Sequence, residues 1–135
     1  MTARYLLDTN ICIYIAREKP PEVAAKFAQL HPGEAGISVV TWGELRFGAE
    51  KSRRRQEVLA MLDEFASLVP VMPMPRNAGD RYAEIRASLE SAGTPIGNND
   101  LWIAAHAIAA DLELITNNGR EFRRVAGLRL DNWVA

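Results

Sequence analysis

Short apolar runs alternate along this chain with longer stretches whose apolar residues recur at helical spacing. Arg4–Leu7 ends sharply at Asp8 and reads as a buried first strand. Asn10 is the expected cap of the helix that follows, with Ile11, Ile13, Tyr14 and Ile15 supplying its apolar surface. Lys19-Pro20-Pro21 breaks that helix, and Pro21 suits the first turn of a second one over about 21–30, where Val23, Phe27 and Leu30 share a face. After the turn His31-Pro32-Gly33, residues Gly36–Val40 predict a second strand. Thr41 then fits an N-cap, with Glu44 three residues on completing a capping box. Val58, Leu59, Leu62 and Phe65 align within a helix over Arg53–Ala66. A short strand, Leu68–Met72, closes at Pro73 and Pro75. Tyr82, Ile85 and Leu89 define a helix over Asn77–Ala92, and the loop Gly93-Thr94-Pro95 leads to a nearly apolar helix from Asn98 or Asn99 to about Ala110. Glu113–Thr116 is a further strand, Asn117-Asn118-Gly119 a turn, Glu121–Val125 a short helix and Leu128–Trp133 an edge strand. Strands alternating with helices predict an α/β fold: three α/β/α layers around a central, mainly parallel sheet.

The 135 residues suit one domain, 1–135, without internal repeat, low-complexity segment or linker. The apolar stretches are too short and interrupted to span a bilayer. With no signal-peptide pattern at the start, a cytoplasmic location is expected. The lone Cys12 lies in an apolar stretch and is expected as a buried, reduced thiol. A net charge of −1 argues against a protein coated in basic surface. Two basic groups nevertheless stand out: Lys51, Arg53, Arg54 and Arg55, then Arg120, Arg123, Arg124 and Arg129. Each reads as a solvated helix face or as a grip on phosphates.

Three carboxylates stand where a strand passes into a helix: Asp8, Glu44 and Asp100. Each has a structural reason to be there. Asp8 can cap the next helix, Glu44 can complete its capping box, and Asp100 suits the positive end of a helix dipole. In a parallel α/β sheet, however, such junctions gather at one edge. Three carboxylates meeting there repel one another unless a cation sits among them. Oxygen ligands without cysteine suit a hard cation, Mg²⁺ or Mn²⁺, and such a site suits phosphodiester hydrolysis, with one cation or two about 4 Å apart. Thr116 and Asn118 could orient water or a bound group from the end of the fourth strand. Glu121 could add a fourth carboxylate or simply charge a helix start. His106 reads as a packed or partly exposed histidine, and Trp42, Trp102 and Trp133 as packing residues or base-stacking platforms. A phosphatase using Asp8 as nucleophile would want a second Asp at position 10, which is Asn. A receiver domain would need a phosphoacceptor Asp after a later strand and a downstream Lys. After Gly36–Val40 there is neither that Asp nor a suitable Lys.

In order and at suitable spacing, Leu6-Leu7-Asp8-Thr9-Asn10, Glu44-Leu45 with Gly48, Pro95-Ile96-Gly97 with Asp100 and Ile103-Ala104-Ala105-His106-Ala107, and Ile115-Thr116-Asn117-Asn118 with Arg120-Glu121-Phe122 resemble the PIN-domain ribonucleases, and within them the VapC-like toxins of type II toxin–antitoxin pairs. The closing Gly127-Leu128-Arg129-Leu130-Asp131-Asn132-Trp133 resembles the tail of that group. The resemblance implies a Mg²⁺- or Mn²⁺-dependent endoribonuclease that is a homodimer, is inhibited by a cognate antitoxin, and leaves a 3′-hydroxyl and a 5′-phosphate. It implies Asp8, Glu44 and Asp100 as the acidic catalytic residues, with Asp8 and Asp100 holding the metal. Thr9, Asn10 and Thr116 match supporting positions. Asn118 stands where many relatives carry a fourth acid, with Glu121 nearby. Arg53, Arg54, Arg55 and Arg120 are the expected RNA contacts. The alternative is a catalytically inactive PIN-like module that only pairs with an antitoxin.

Overall fold

In a computed structural model, which describes residues 2–135, five parallel strands form one sheet in the order β3-β2-β1-β4-β5. The strands are β1 (Tyr5–Leu7), β2 (Ala35–Ser38), β3 (Val71–Met72), β4 (Glu113–Ile115) and β5 (Leu130–Asp131). The helices are α1 (Thr9–Arg17), α2 (Pro21–Ala28), α3 (Val39–Glu50), α4 (Arg55–Leu68), α5 (Asn77–Ser91), α6 (Asn98–Ala109) and α7 (Gly119–Phe122). Among the described residues no helix is long and apolar enough to cross a membrane.

Successive residues of a strand point to opposite faces, and that alternation divides the interior in two. Leu7 and Ile115 pack on one side with Ile11, Val23, Leu45 and Leu62 from α1 to α4. Leu6 and Leu114 pack on the other with Leu89, Ile103 and Phe122 from α5, α6 and α7. The central strands are therefore buried on both faces, which is why their sequences read as unbroken apolar runs.

The chain starts in the middle of the sheet. β2 and β3 extend it to one side of β1, and β4 and β5 to the other. The strand order thus reverses between β1 and β4, and the crevice at such a switch point, beyond the carboxyl ends of the strands, is where α/β sheets place ligands. The backbone N–H of Asp8 donates to the Ile115 carbonyl at 2.9 Å, so Asp8 stands on the lip of that crevice.

Two expected helix starts are corrected. Asp8, not Asn10, is the N-cap of α1, because β1 ends one residue before it and its carboxylate reaches Thr9 N at 2.7 Å. At β2 the strand ends early: Ser38 pairs with Met72 and then caps α3, its hydroxyl accepting from Val40 N at 3.0 Å. Thr41 therefore lies inside the helix, fully buried, and there is no capping box with Glu44. Removing Thr41 from the cap places Glu44 in the second turn of α3.

Candidate active site

Asp8 is 6% exposed, yet it carries two strong acceptor bonds. Oδ1 takes Thr9 N and Oδ2 takes the Thr116 hydroxyl at 2.7 Å. Burial pushes its carboxyl above the ordinary value of 3.8 and Glu44 adds to the rise, while the bonds from Thr116 and Thr9 pull against it. Thr116, itself buried at the end of β4, also accepts from Asn118 N at 2.9 Å. Asn118 Nδ2 in turn donates to Glu121 Oε2 at 3.3 Å. On the opposite side the Thr9 hydroxyl donates to Glu44 Oε1 at 2.8 Å.

Asp100 sits in the first turn of α6, half-buried. Its carboxyl is pushed from 3.8 up to about 7 by burial, by a hydrogen bond shared with Glu121, and by the charges of Asp8, Glu121 and Glu44. Four carboxylates from β1–α1, α3, α6 and α7 therefore occupy one electrostatic neighbourhood. Among the described residues none of the four pairs with a Lys, Arg or His. Glu121 is both a first-turn charge of α7 and a neighbour of Asp100, and position 118 is bonded to it. The side chains have not converged into a closed cage: no three His, Cys, Asp or Glu among the described residues form a ready-made metal-holding group. The donor set nevertheless fits a hard divalent cation, being all oxygen, anionic and without a protein counter-charge. Asp8, Glu44, Asp100 and Glu121 could hold one.

The other residues singled out from sequence take varied positions. Asn10 is exposed and makes no side-chain hydrogen bond among the described residues, so it stands outside the network. Arg55 is held by Glu50 at 2.7 Å and Arg54 lies 3.9 Å from Glu57, while Arg53 and Arg120 are exposed and have no such partner among the described residues. Arg124 donates to the Pro95 carbonyl and Arg129 pairs with Asp111. Cys12 is a buried free thiol. His106 is fully buried, with neither ring nitrogen bonded, and burial pushes its imidazole below the ordinary range. Trp133 packs edge-on against Tyr5, Trp42 lies against the first core, and Trp102 stacks on Tyr82 at 3.9 Å.

Sequence reading missed the ground beside the carboxylates. An apolar cleft of about 320 Å³ lies between α1, α3 and α4, lined by Ile13, Ala16, Leu45, Val58, Met61 and Phe65, with Thr9, Arg17 and Glu44 as its polar lining. The exposure of Met61 is its one visible sign, since that residue lies among the apolar positions of α4 yet is 49% exposed.

The PIN domain family profile matches residues 5–128. Ribonuclease VapC2 of Haemophilus influenzae (strain Rd) is 40% identical over 131 residues, covering 97% of this chain and 98% of that protein. The tRNA(fMet)-specific endonuclease VapC of Shigella flexneri is 42% identical over 130 residues, covering 96% and 98%. The crystal structure of DNA-bound VapBC from Salmonella typhimurium superposes with a TM-score of 0.91 at 38% identity, over 98% of this chain and 99% of that one. With the profile spanning β1 to β4 and every carboxylate of the crevice, and the relatives similar over nearly their whole length, the chain belongs to the PIN-domain family, among its VapC ribonucleases.

Proposed function

We propose that this chain, acting as one domain over 1–135, is a divalent-metal-dependent endoribonuclease and the toxin of a toxin–antitoxin pair. One observation carries the reading: four carboxylates, none paired with a Lys, Arg or His among the described residues, meet at the switch point of a parallel sheet, and burial together with their mutual repulsion lifts Asp100 to about 7. Such repulsion lowers stability unless a cation or a proton relieves it. The chain's family supports RNA as the substrate. Transfer RNA is the first class to try, because relatives of 42% and 38% identity are named as tRNA(fMet)-specific endonucleases.

Asp8 and Asp100 would hold the ion, Mg²⁺ or Mn²⁺. When bound, it would polarise the scissile phosphoryl oxygen and stabilise developing charge. The rest is done by the chain's own residues. Thr116 and the Thr9 amide fix both oxygens of Asp8 and so its orientation. Thr9 anchors Glu44 through Oε1, and Oε2, which has no bond among the described residues, faces the task of orienting and deprotonating an attacking water. Hydrolysis by that water leaves a 3′-hydroxyl and a 5′-phosphate. Arg53 and Arg120, exposed and without an ion-pair partner among the described residues, would grip flanking phosphates.

The apolar cleft is the surface proposed for the antitoxin. Thr9 and Glu44 are among its lining residues, so a chain seated in it would cover Glu44 and hinder substrate. The protein is proposed to pair with its antitoxin as a homodimer in the cytoplasm. The test is cleavage of bulk transfer RNA by partner-free protein with Mn²⁺ or Mg²⁺ and with chelator, beside Asp8→Ala. Metal-dependent cleavage lost in the variant is expected. No cleavage by folded protein, together with no Mn²⁺ binding by calorimetry, would favour an inactive module that only binds an antitoxin.

A further inference from the structure

The first turn of α6 has no side-chain cap. Its N-cap is Gly97, which offers no side-chain oxygen to the orphan N–H groups of the turn. Asp100 lies in that turn, where Asp8, Glu44 and Glu121 repel its carboxylate. A helix end that lacks a cap and carries a repelled charge relieves itself by fraying outward.

What opposes fraying comes from α5. The Tyr82 hydroxyl donates to Asn98 Oδ1, and the Tyr82 ring stacks on Trp102 at 3.9 Å with 13° between the planes. The two contacts fall two residues before and two residues after Asp100. Tyr82 is itself held: Arg86 Nη1 donates to its oxygen at 3.0 Å, and Arg86 Nε is fixed by Glu90 at 2.8 Å. Ile96 and Leu101 bury the same turn from below. Among the described residues no hydrogen bond or ion pair joins this α5 group to Asp100.

We infer that Tyr82 is a positioning residue: by gripping Asn98 and Trp102 it holds the first turn of α6, and with it the Asp100 carboxylate, in place against the neighbouring carboxylates. This rests on the reading of Asp100 as a site residue. Displacement of a working group by a fraction of an ångström lowers turnover far more than substrate affinity.

The test uses the purified full chain, free of partner, on bulk bacterial transfer RNA with Mn²⁺. Tyr82→Phe keeps the ring stack and removes only the hydroxyl. It should lower kcat by about 3- to 10-fold, the range of one lost hydrogen bond, with KM and melting temperature nearly unchanged. Asn98→Ala should lower kcat in the same direction, and the double variant should be no worse than Tyr82→Phe, which already lacks the bond to Asn98 as well as the one from Arg86. Mn²⁺ affinity by calorimetry should fall about 2- to 5-fold in Tyr82→Phe, a readout that bulk stability does not move. Tyr82→Leu, if it folds, should lose more. Asp100→Asn separates the two readings. If it retains cleavage, the site assignment itself fails. If it abolishes cleavage while Tyr82→Phe keeps wild-type kcat and Mn²⁺ affinity, the positioning role of Tyr82 is overturned.

Discussion

Replacing Asp100 by Asn removes the charge its neighbours oppose while keeping the side chain's shape, and the metal-free protein should become more stable as it loses activity. The sign follows from the direction of the shift. An acid whose carboxyl is raised from 3.8 to about 7 in the folded protein favours folding in its protonated form. That stability is fully present below about pH 4 and is lost as pH rises through about 7. For a fully shielded group the rise corresponds to ~4 kcal/mol. Asp100 is only half-buried, and solvent screening leaves about 1–2 kcal/mol. Unfolding entropy near 2 cal/mol/K per residue makes this about 4–7 °C in melting temperature for a chain of 135 residues. Calorimetric melts in chelator should therefore show Asp100→Asn above wild type by that interval at pH 8, shrinking towards zero near pH 4. Saturating Mn²⁺ should raise wild type and close the gap, because an ion bound to the native state stabilises it and the variant has lost a ligand. An Asp100→Asn protein that melts at or below wild type at pH 8 in chelator would refute the combined penalty of burial and repulsion on which the reading depends.

Three further outcomes are expected. Thr116→Val keeps shape but takes the donor from Asp8 Oδ2 in a buried setting; it should destabilise the protein by about 1–3 kcal/mol in denaturant titrations and slow RNA cleavage at least tenfold. Asn118→Asp replaces the amide bonded to Glu121 with another charge, so it should tighten Mn²⁺ binding in calorimetry while lowering the metal-free melting temperature; unchanged affinity would place position 118 outside the site. Met61→Glu puts a charge in the apolar cleft and should weaken antitoxin binding at least tenfold in a binding titration, leaving cleavage by the free protein near wild type.

Much of the layout was legible because it is written locally. The apolar run Tyr5–Leu7 stopping at Asp8, the aligned Val58, Leu59, Leu62 and Phe65 of α4, and the apolar body of α6 are patterns of neighbours in the chain, and they place strand ends and helices within a few residues. The acidic positions Asp8, Glu44 and Asp100 were visible for the same reason: a charge at the end of a buried strand, or in the first turns of a helix, stands out against its surroundings. Caps were less legible. Ser38 and Thr41 are both good N-caps on paper, and only the pairing of Ser38 with Met72 decides where β2 stops, which turns Thr41 into a buried helix residue. Asn10 lost its expected place to Asp8 in the same way.

Other features depend on contacts between distant parts of the chain. The bond from Thr116 to Asp8 joins residues 108 positions apart and needs β4 to lie beside β1, and the nearness of Glu121 to Asp100 needs α6 and α7 to pack on the same face of the sheet. Whether Glu121 charges a helix start or joins a carboxylate cluster cannot be read from its neighbours, because both answers use the same residue at the same place. The chain by itself marked the candidate acidic residues and roughly where elements begin and end, since hydrophobic spacing and turn chemistry act over a few residues. Only the tertiary structure decided which charges share a crevice, which hydroxyl orients which carboxylate, and where an apolar cleft opens beside them, since those depend on strand order and on packing across the sheet.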